Sequence, residues 1–259
     1  MVAIITGASS GIGLATARYL SQKGYKIYGI SRTLVQNEPF ESIVCDITNY
    51  DAFQQAVDYV LSKEGKIDAL INNAGMGISG AIEYSPTDDI RKIFDVNILA
   101  MINACKCVAK PMRMQKSGRI INIGSVAGRI PIPFQTCYSA TKSAVQMFSL
   151  AFGLEVKNFG IYVSCVMPGD TKTGFTASRV KSETDEGYDD RITKSVAKME
   201  RDERAGKSPE SVSGVIYRLL TSKNPPPCKT VGFTYKLIIL LEKLLPTRLM
   251  LWVVKKLYG

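Results

Sequence analysis

Ser125, Tyr138 and Lys142 are the residues of this chain best suited to proton-transfer chemistry, and the absence of histidine throws the work onto them. Without an imidazole, acid–base steps near neutral pH need a tyrosine, lysine, cysteine or carboxylate with a displaced pKa. A tyrosine and a lysine four positions apart share one face of a helix. That spacing recurs at Tyr19/Lys23, Tyr59/Lys63 and Tyr138/Lys142, and the first two pairs read as helix surface. The third follows a strand ending near Ser125 and the segment RIPIPF, whose Pro131 and Pro133 give an extended path from strand end to helix start. Moving a phenol pKa from about 10 to about 7 takes roughly 4 kcal/mol of preferential phenolate stabilisation. An ammonium about 4 Å away, at an effective dielectric of about 20, supplies close to that amount. Tyr138 would then exchange a proton with a substrate oxygen held by Ser125, as alcohol–ketone interconversion requires.

The segment TGASSGIG follows an apolar run and opens a helix pattern. Gly7, Gly11 and Gly13 allow the backbone to turn and approach a phosphate, with Ser9, Ser10 and Ile12 between them and free helix N–H groups beyond. The spacing G-x-x-x-G-x-G departs from the common dinucleotide fingerprint, so a merely tight strand-to-helix turn stays open as the alternative. The second apolar run ends in IYGISRT. There Ser31 and Arg32 replace the carboxylate that would bind a ribose 2′-hydroxyl, and a guanidinium can grip a 2′-phosphate. NADP(H) is therefore expected over NAD(H), against the plainer reading of Arg32 as an ordinary surface arginine.

Placing these residues in one site needs a scaffold. Strands are expected at Ala3–Thr6, Lys26–Ile30, Ser42–Val44, Ala69–Asn72, Arg119–Ile123 and Tyr162–Val166, separated by amphipathic stretches, one with a capping box at Thr48 and Asp51. Alternation of this kind predicts an α/β, Rossmann-like, doubly wound parallel sheet with helices on both faces. The 259 residues suit one domain. After Gly169 the composition changes. Residues from about 174 to 207 read as an insertion, either a solvated helix or a mobile substrate lid, with Ile192, Val196 and Met199 at helical spacing. Ser208-Pro209 restarts a helix, and KTVGF is a candidate last strand.

The formal net charge of +10 favours anionic partners. Nucleic acid is not expected, since the basic residues are dispersed and no aromatic-rich basic motif occurs. Cys45, Cys105, Cys107, Cys137, Cys165 and Cys228 form no C-x-x-C pair, which argues against a zinc ribbon or a disulfide framework and fits a reducing cytoplasm. No metal site is expected. The opening MVAIITGASSGIG lacks a basic n-region and does not read as a secretory signal.

TGASSGIG, NNAG at Asn72–Gly75, Val96-Asn97, Ser125, YSATK and PGDTKT together resemble the short-chain dehydrogenase/reductase family, from residue 2 to about 175. The resemblance implies a catalytic set of Asn97, Ser125, Tyr138 and Lys142, with Asn97 holding a water that links Lys142 to solvent. It implies cofactor contacts from Asn73, Ala74 and Gly75, from Asp46 and Ile47 at the adenine, from Lys142 and Tyr138 near the nicotinamide ribose, and from Pro168, Gly169, Thr171 and Thr173. A homodimer or homotetramer through the helix bearing Tyr138 is also implied, and its continuation SAVQMFSLAFGLEV is apolar nearly all round.

The tail, residues 235–259, departs from that pattern. It is unusually apolar, yet Glu242, Lys243 and Pro246 interrupt it well short of the ~20 residues of a spanning helix. Three readings stand: a core or oligomer helix, a wall of an apolar substrate pocket, or a helix lying peripherally on anionic lipid. The activity expected is hydride transfer between NADP(H) and a secondary alcohol or ketone on a bulky lipophilic substrate, steroid-, retinoid- or acyl-like. A non-catalytic dinucleotide sensor or scaffold is the rival, and it would be marked by loss of Tyr138 or Lys142.

Overall fold

A computed structural model describes residues 1–181 and 186–258; residues 182–185 of the expected insertion and Gly259 of the tail lie outside them. The first half runs β1 (Val2–Thr6), α1 (Gly11–Gln22), β2 (Lys26–Ser31), β3 (Glu41–Val44), α2 (Tyr50–Glu64), β4 (Ala69–Asn72), β5 (Ile78–Ser79), α3 (Thr87–Phe94) and α4 (Ala100–Gln115). The second half runs β6 (Gly118–Ile123), α5 (Thr136–Val156), β7 (Ile161–Met167), α6 (Phe175–Ser178), β8 (Val180–Lys181), α7 (Arg191–Arg204), α8 (Pro209–Thr221), β9 (Cys228–Thr230), α9 (Phe233–Leu244) and α10 (Thr247–Tyr258).

Seven strands form a sheet in the order β3-β2-β1-β4-β6-β7-β9, and every pairing is parallel. Side chains alternate across each strand, so both faces of a parallel sheet need cover. Val2 and Ile4 of β1 meet Val57, Val60 and Val108 on one side. Ala3 and Ile5 meet Leu20, Ile216 and Leu220 on the other. All of β1 is buried, which is why it reads as an unbroken apolar run. The strand order departs in opposite directions from β1 towards β2 and β4, opening a crevice at their carboxyl ends. Beneath it a buried polar chain ties the sheet to α5. Asn72 Nδ2 donates to Asn122 Oδ1 at 2.9 Å, and Asn122 Nδ2 donates to Ser149 Oγ at 2.9 Å.

Several expectations are corrected. The α2 cap is Asn49, whose Oδ1 accepts from the Ala52 N–H at 3.0 Å, because the Thr48 hydroxyl is engaged by Asp46. The last strand forms at the start of KTVGF but spans Cys228–Thr230, since Gly232 at φ 94 turns the chain into α9 at Phe233. The stripe of Ile192, Val196 and Met199 is buried against Ala81 and Phe134, so α7 is no solvated helix. It roofs the crevice. Sequence periodicity gave no sign of β5 and β8, two residues each, which pair in parallel beside the main sheet. The tail is two helices broken at Pro246, and among their described residues Ile239 and Val254 alone are fully buried, which leaves little of the core-helix reading in the single chain.

Candidate active site

A cleft of about 750 Å³ runs along the carboxyl ends of the strands, from Arg32 past the glycine loop to Tyr138 and Tyr258. Of the residues singled out in the sequence, Gly7, Ser9, Ser10, Gly11, Ile12, Ser31, Arg32, Asp46, Ile47, Asn73, Ala74, Gly75, Ser125, Tyr138, Lys142, Pro168, Gly169, Thr171 and Thr173 all line it. Gly13 and Asn97 do not, and each acts from behind the wall.

The glycine loop is packed too tightly for a side chain. A Cβ on Gly13 would lie 2.1 Å from the Gly7 carbonyl oxygen. Gly7 itself sits at φ +67 with its N–H on the Ile30 carbonyl at 2.8 Å, so it cannot retreat. Ser10 leads into α1 without a side-chain cap, which leaves first-turn N–H groups for an anion in the cleft. Asn73 Nδ2 donates to the Thr6 and Gly7 carbonyls at 2.9 and 3.2 Å, tying the NNAG turn to the loop. Thr6, which sequence reasoning passed over, completes that tie: its hydroxyl accepts from the N–H groups of Asn73 and Ala74 at 3.0 and 3.1 Å. Its only sequence mark is a polar residue ending an otherwise apolar strand.

At the far end of β2, Ser31 is buried and its hydroxyl donates to the Thr33 carbonyl at 2.6 Å, while Arg32 is exposed. Among the described residues Arg32 forms no ion pair; its charge acts on Asp46. Hydrogen bonds from the Thr48 N–H and hydroxyl, with help from Arg32, hold the Asp46 carboxyl below the ordinary carboxylate range.

Ser125 ends the turn after β6 in extended backbone, and its Oγ accepts from the Ala127 N–H at 3.1 Å. Tyr138 and Lys142 lie one turn apart on α5, with the Lys142 Nζ 5.7 Å from the Tyr138 ring centroid. The ammonium donates to the Ile123 carbonyl at 2.9 Å. By contrast Tyr59 and Lys63, in direct contact at 3.2 Å, sit on an exposed face of α2 beside Glu41.

The expected acidification of Tyr138 is not what the protein alone provides. Burial pushes the phenol up to about 12, the Glu203 carboxylate adds to the rise, and the Ser125 hydroxyl and Arg179 only partly oppose it. Burial also lowers Lys142 to about 8, with its charge turned towards a main-chain carbonyl and the Cys165 thiol. Two charges in a uniform medium would acidify the phenol; in the folded protein the cost of burying them outweighs that attraction.

Asn97 occupies a π-helical turn, Asp95–Leu99. Its Oδ1 accepts from the Met76 N–H at 2.8 Å, and its Nδ2 donates to the Met76 carbonyl and Thr141 Oγ1 at 3.0 and 3.1 Å. Both amide N–H groups are thus spent on protein, fixing the NNAG turn to α5. Thr141 extends the link by donating to the Tyr138 carbonyl at 2.8 Å.

The rest of the wall comes from elements the sequence left undefined. Phe175 faces Tyr138 at 5.7 Å between ring centroids. Glu203 reaches the cleft from α7, where Arg179 and the Thr176 hydroxyl hold it. Asp170 lies beside them, bonded by the Tyr235 hydroxyl; burial lifts its carboxyl above the usual range, and Asp202 and Glu203 add to the rise. Asp170 stands inside PGDTKT, yet nothing local distinguishes it from a turn aspartate.

Comparison with known proteins gives the same picture. The family model described as short chain dehydrogenase matches residues 1–184. A 3-ketodihydrosphingosine reductase of Bacteroides thetaiotaomicron is 42% identical over 235 residues, covering 89% of this chain and 87% of its own. A 3-oxoacyl-(acyl-carrier-protein) reductase of Synechocystis is 36% identical over 187 residues, 68% of this chain and 76% of its own. Among solved structures, a short-chain dehydrogenase from Streptomyces avermitilis superposes with a TM-score of 0.85 at 26% identity, covering 98% of this chain and 96% of that one. On these matches the chain belongs to the short-chain dehydrogenase/reductase family, oxidoreductases that use a nicotinamide cofactor on CH–OH and C=O groups.

Proposed function

We propose that the protein is an NADP(H)-dependent reductase of a ketone carried on a long alkyl chain, with an amine near the carbonyl. The observation that carries the reaction is the meeting of Ser125, Tyr138 and Lys142 on one wall of a cleft that also takes in the glycine loop and Arg32.

The residues present fit a dinucleotide. The close approach of Gly13 to Gly7, and the uncapped start of α1, leave backbone N–H groups for a pyrophosphate. Asp46 and Ile47 would take the adenine, Arg32 the 2′-phosphate, and Lys142 the ribose beside Tyr138. When bound, the cofactor supplies the hydride donor or acceptor. The chain's own part is the proton. At neutral pH Tyr138 holds its proton, so it is set to donate to a carbonyl oxygen that Ser125 orients, and Lys142 offsets the charge left on the phenol. That protonation state favours reduction. A solvent link from Lys142 would have to use main-chain groups of the turn at Asn97, because the side-chain donors are taken.

Deprotonation of Lys142 near pH 8 removes that offsetting charge. The kcat/KM for ketone reduction is therefore expected to fall along a basic limb beginning near pH 8, and a flat profile to pH 10 would count against Lys142 in this role. For the cofactor, Arg32→Asp replaces a bidentate phosphate ligand with a repelling charge. The ratio of kcat/KM for NADPH over NADH is expected to drop about a hundredfold. An unchanged ratio removes the 2′-phosphate assignment.

The substrate class rests on two supports. One is the name of the Bacteroides relative, a reductase of a long-chain amino ketone. The other is the pair of carboxylates, Asp170 and Glu203, that share the cleft with Tyr138. Asp170→Asn is expected to raise KM for an amino ketone about tenfold while leaving KM for a neutral ketone of equal chain length unchanged. The testing experiment is NADPH consumption across ketones graded in chain length and with or without the amine; equal rates for short and long chains would overturn the lipophilic assignment. Oligomerisation through α5 belongs to the same reading, since Met147 and Leu154 are 66% and 76% exposed in the single chain.

A further inference from the structure

The tail helices meet the rest of the protein through narrow stripes. The inward side of α9 is Tyr235, Ile239 and Glu242, and that of α10 is Met250, Val254 and Tyr258. At about 100° per residue, Phe233, Leu237, Leu240 and Leu244 fall on the opposite side of α9. All four are exposed, Phe233 by 79% and Leu244 by 71%. On α10 the side away from Val254 carries Leu249, Trp252 and Lys256, with the exposed Val253 and Leu257 along one flank and Trp252 57% exposed. A helix of a globular protein ordinarily turns its apolar stripe to the core. Here the stripes point away.

The charges beside them have one sign. Lys236, Lys243, Arg248, Lys255 and Lys256 accompany a single acid, Glu242, whose carboxylate is taken by Arg129. Among the described residues those five cations form no ion pair. An outward apolar stripe rimmed by Lys and Arg, with a tryptophan on it, is the pattern of a helix lying in the headgroup region of an anionic membrane. Neither helix is long and apolar enough to cross one. A second copy of this chain suits the surface less well, because a two-fold contact sets a patch against itself and would bring the two cationic rims together.

We propose that the outer faces of α9 and α10 seat the protein on an anionic lipid surface beside the mouth of its cleft. Tyr258 lines the cleft from α10, and Tyr235 of α9 bonds Asp170 in its wall. One helix diameter, about 10 Å, then separates lipid from cleft wall. The proposal does not rest on the reaction assigned above, so membrane binding and ketone reduction can fail independently.

Trp252 is the only tryptophan of the chain and serves as the reporter. The full-length protein is mixed with vesicles of phosphatidylcholine alone, or of phosphatidylcholine with one third phosphatidylserine. With the anionic vesicles, the Trp252 emission is expected to shift to the blue and the protein to sediment with the lipid, at least about a hundredfold more tightly than with the neutral ones. The double variant K255E/K256E, whose positions are exposed and whose fold is checked by circular dichroism, is expected to lose roughly thirtyfold in affinity. Emission that stays unchanged with the protein in the supernatant overturns the proposal, as does equal binding to both vesicle types. A blue emission that is present without lipid and moves to the red on dilution also overturns it, by showing that another copy covers the face.

Discussion

Tyr138→Phe is expected to lower kcat for ketone reduction by about 10³–10⁴-fold while leaving dinucleotide binding within a few-fold of wild type. Phenylalanine keeps the ring that meets Phe175 at 5.7 Å, so the wall of the cleft survives and only the hydroxyl is lost. Because burial holds the phenol at about 12, that hydroxyl is the proton source nearest Ser125 at neutral pH. Single-turnover kinetics with saturating NADPH separates the chemical step from product release, and a rate equal to wild type would remove Tyr138 from the reaction.

Gly13→Ala is expected to be the most damaging single methyl in the chain. The added carbon would lie 2.1 Å from the Gly7 oxygen and 2.5 Å from Asn73 Nδ2, and neither neighbour is free to move. Gly7 is held by Ile30, and Asn73 by the Thr6 carbonyl. Overpacking of rigid backbone costs about 3 kcal/mol, which lowers Tm by about 10 °C in a chain of this size. The displaced loop should also weaken NADPH binding about a hundredfold, as read by fluorescence titration. Gly214→Ala provides the control, since its Cβ would meet nothing closer than Arg218 Nη1 at 4.0 Å; alanine in that helix should be neutral or mildly stabilising. Similar losses in both variants would show that the loop tolerates no particular contact.

The sheet was legible because its strands are buried on both faces: β1 and β4 carry no polar side chain until their last residue and β6 only Arg119 and Asn122, and Gly or Asn marks the turn that follows. The glycine-loop end of the cleft was legible for the same local reason, the loop adjoining its strand directly. Roles that depend on burial were not. The shifted pKa values of Tyr138 and Lys142 come from how many other chains of atoms exclude water from them, which no spacing encodes. The resemblance implied that Asn97 holds a water linking Lys142 to solvent, yet its side-chain amide is consumed by Met76 and Thr141, partners distant in sequence. The insertion and tail misled for another reason. Helical stripes on α7 and on α9 look alike in sequence, but α7 turns its stripe to Ala81 and Phe134 while α9 turns its own outward.

The small parallel pair of β5 and β8 has a bearing on how such enzymes diverge. It stitches Ile78 and Ser79, just past the turn that Asn97 grips, to Val180 and Lys181 at the root of the roof. Two residues a side make a seam too short to hold by itself, so it closes only when floor and roof are already in place. A lineage could therefore remodel α7 for a new substrate and keep its dinucleotide grip, provided that this short seam still found its register.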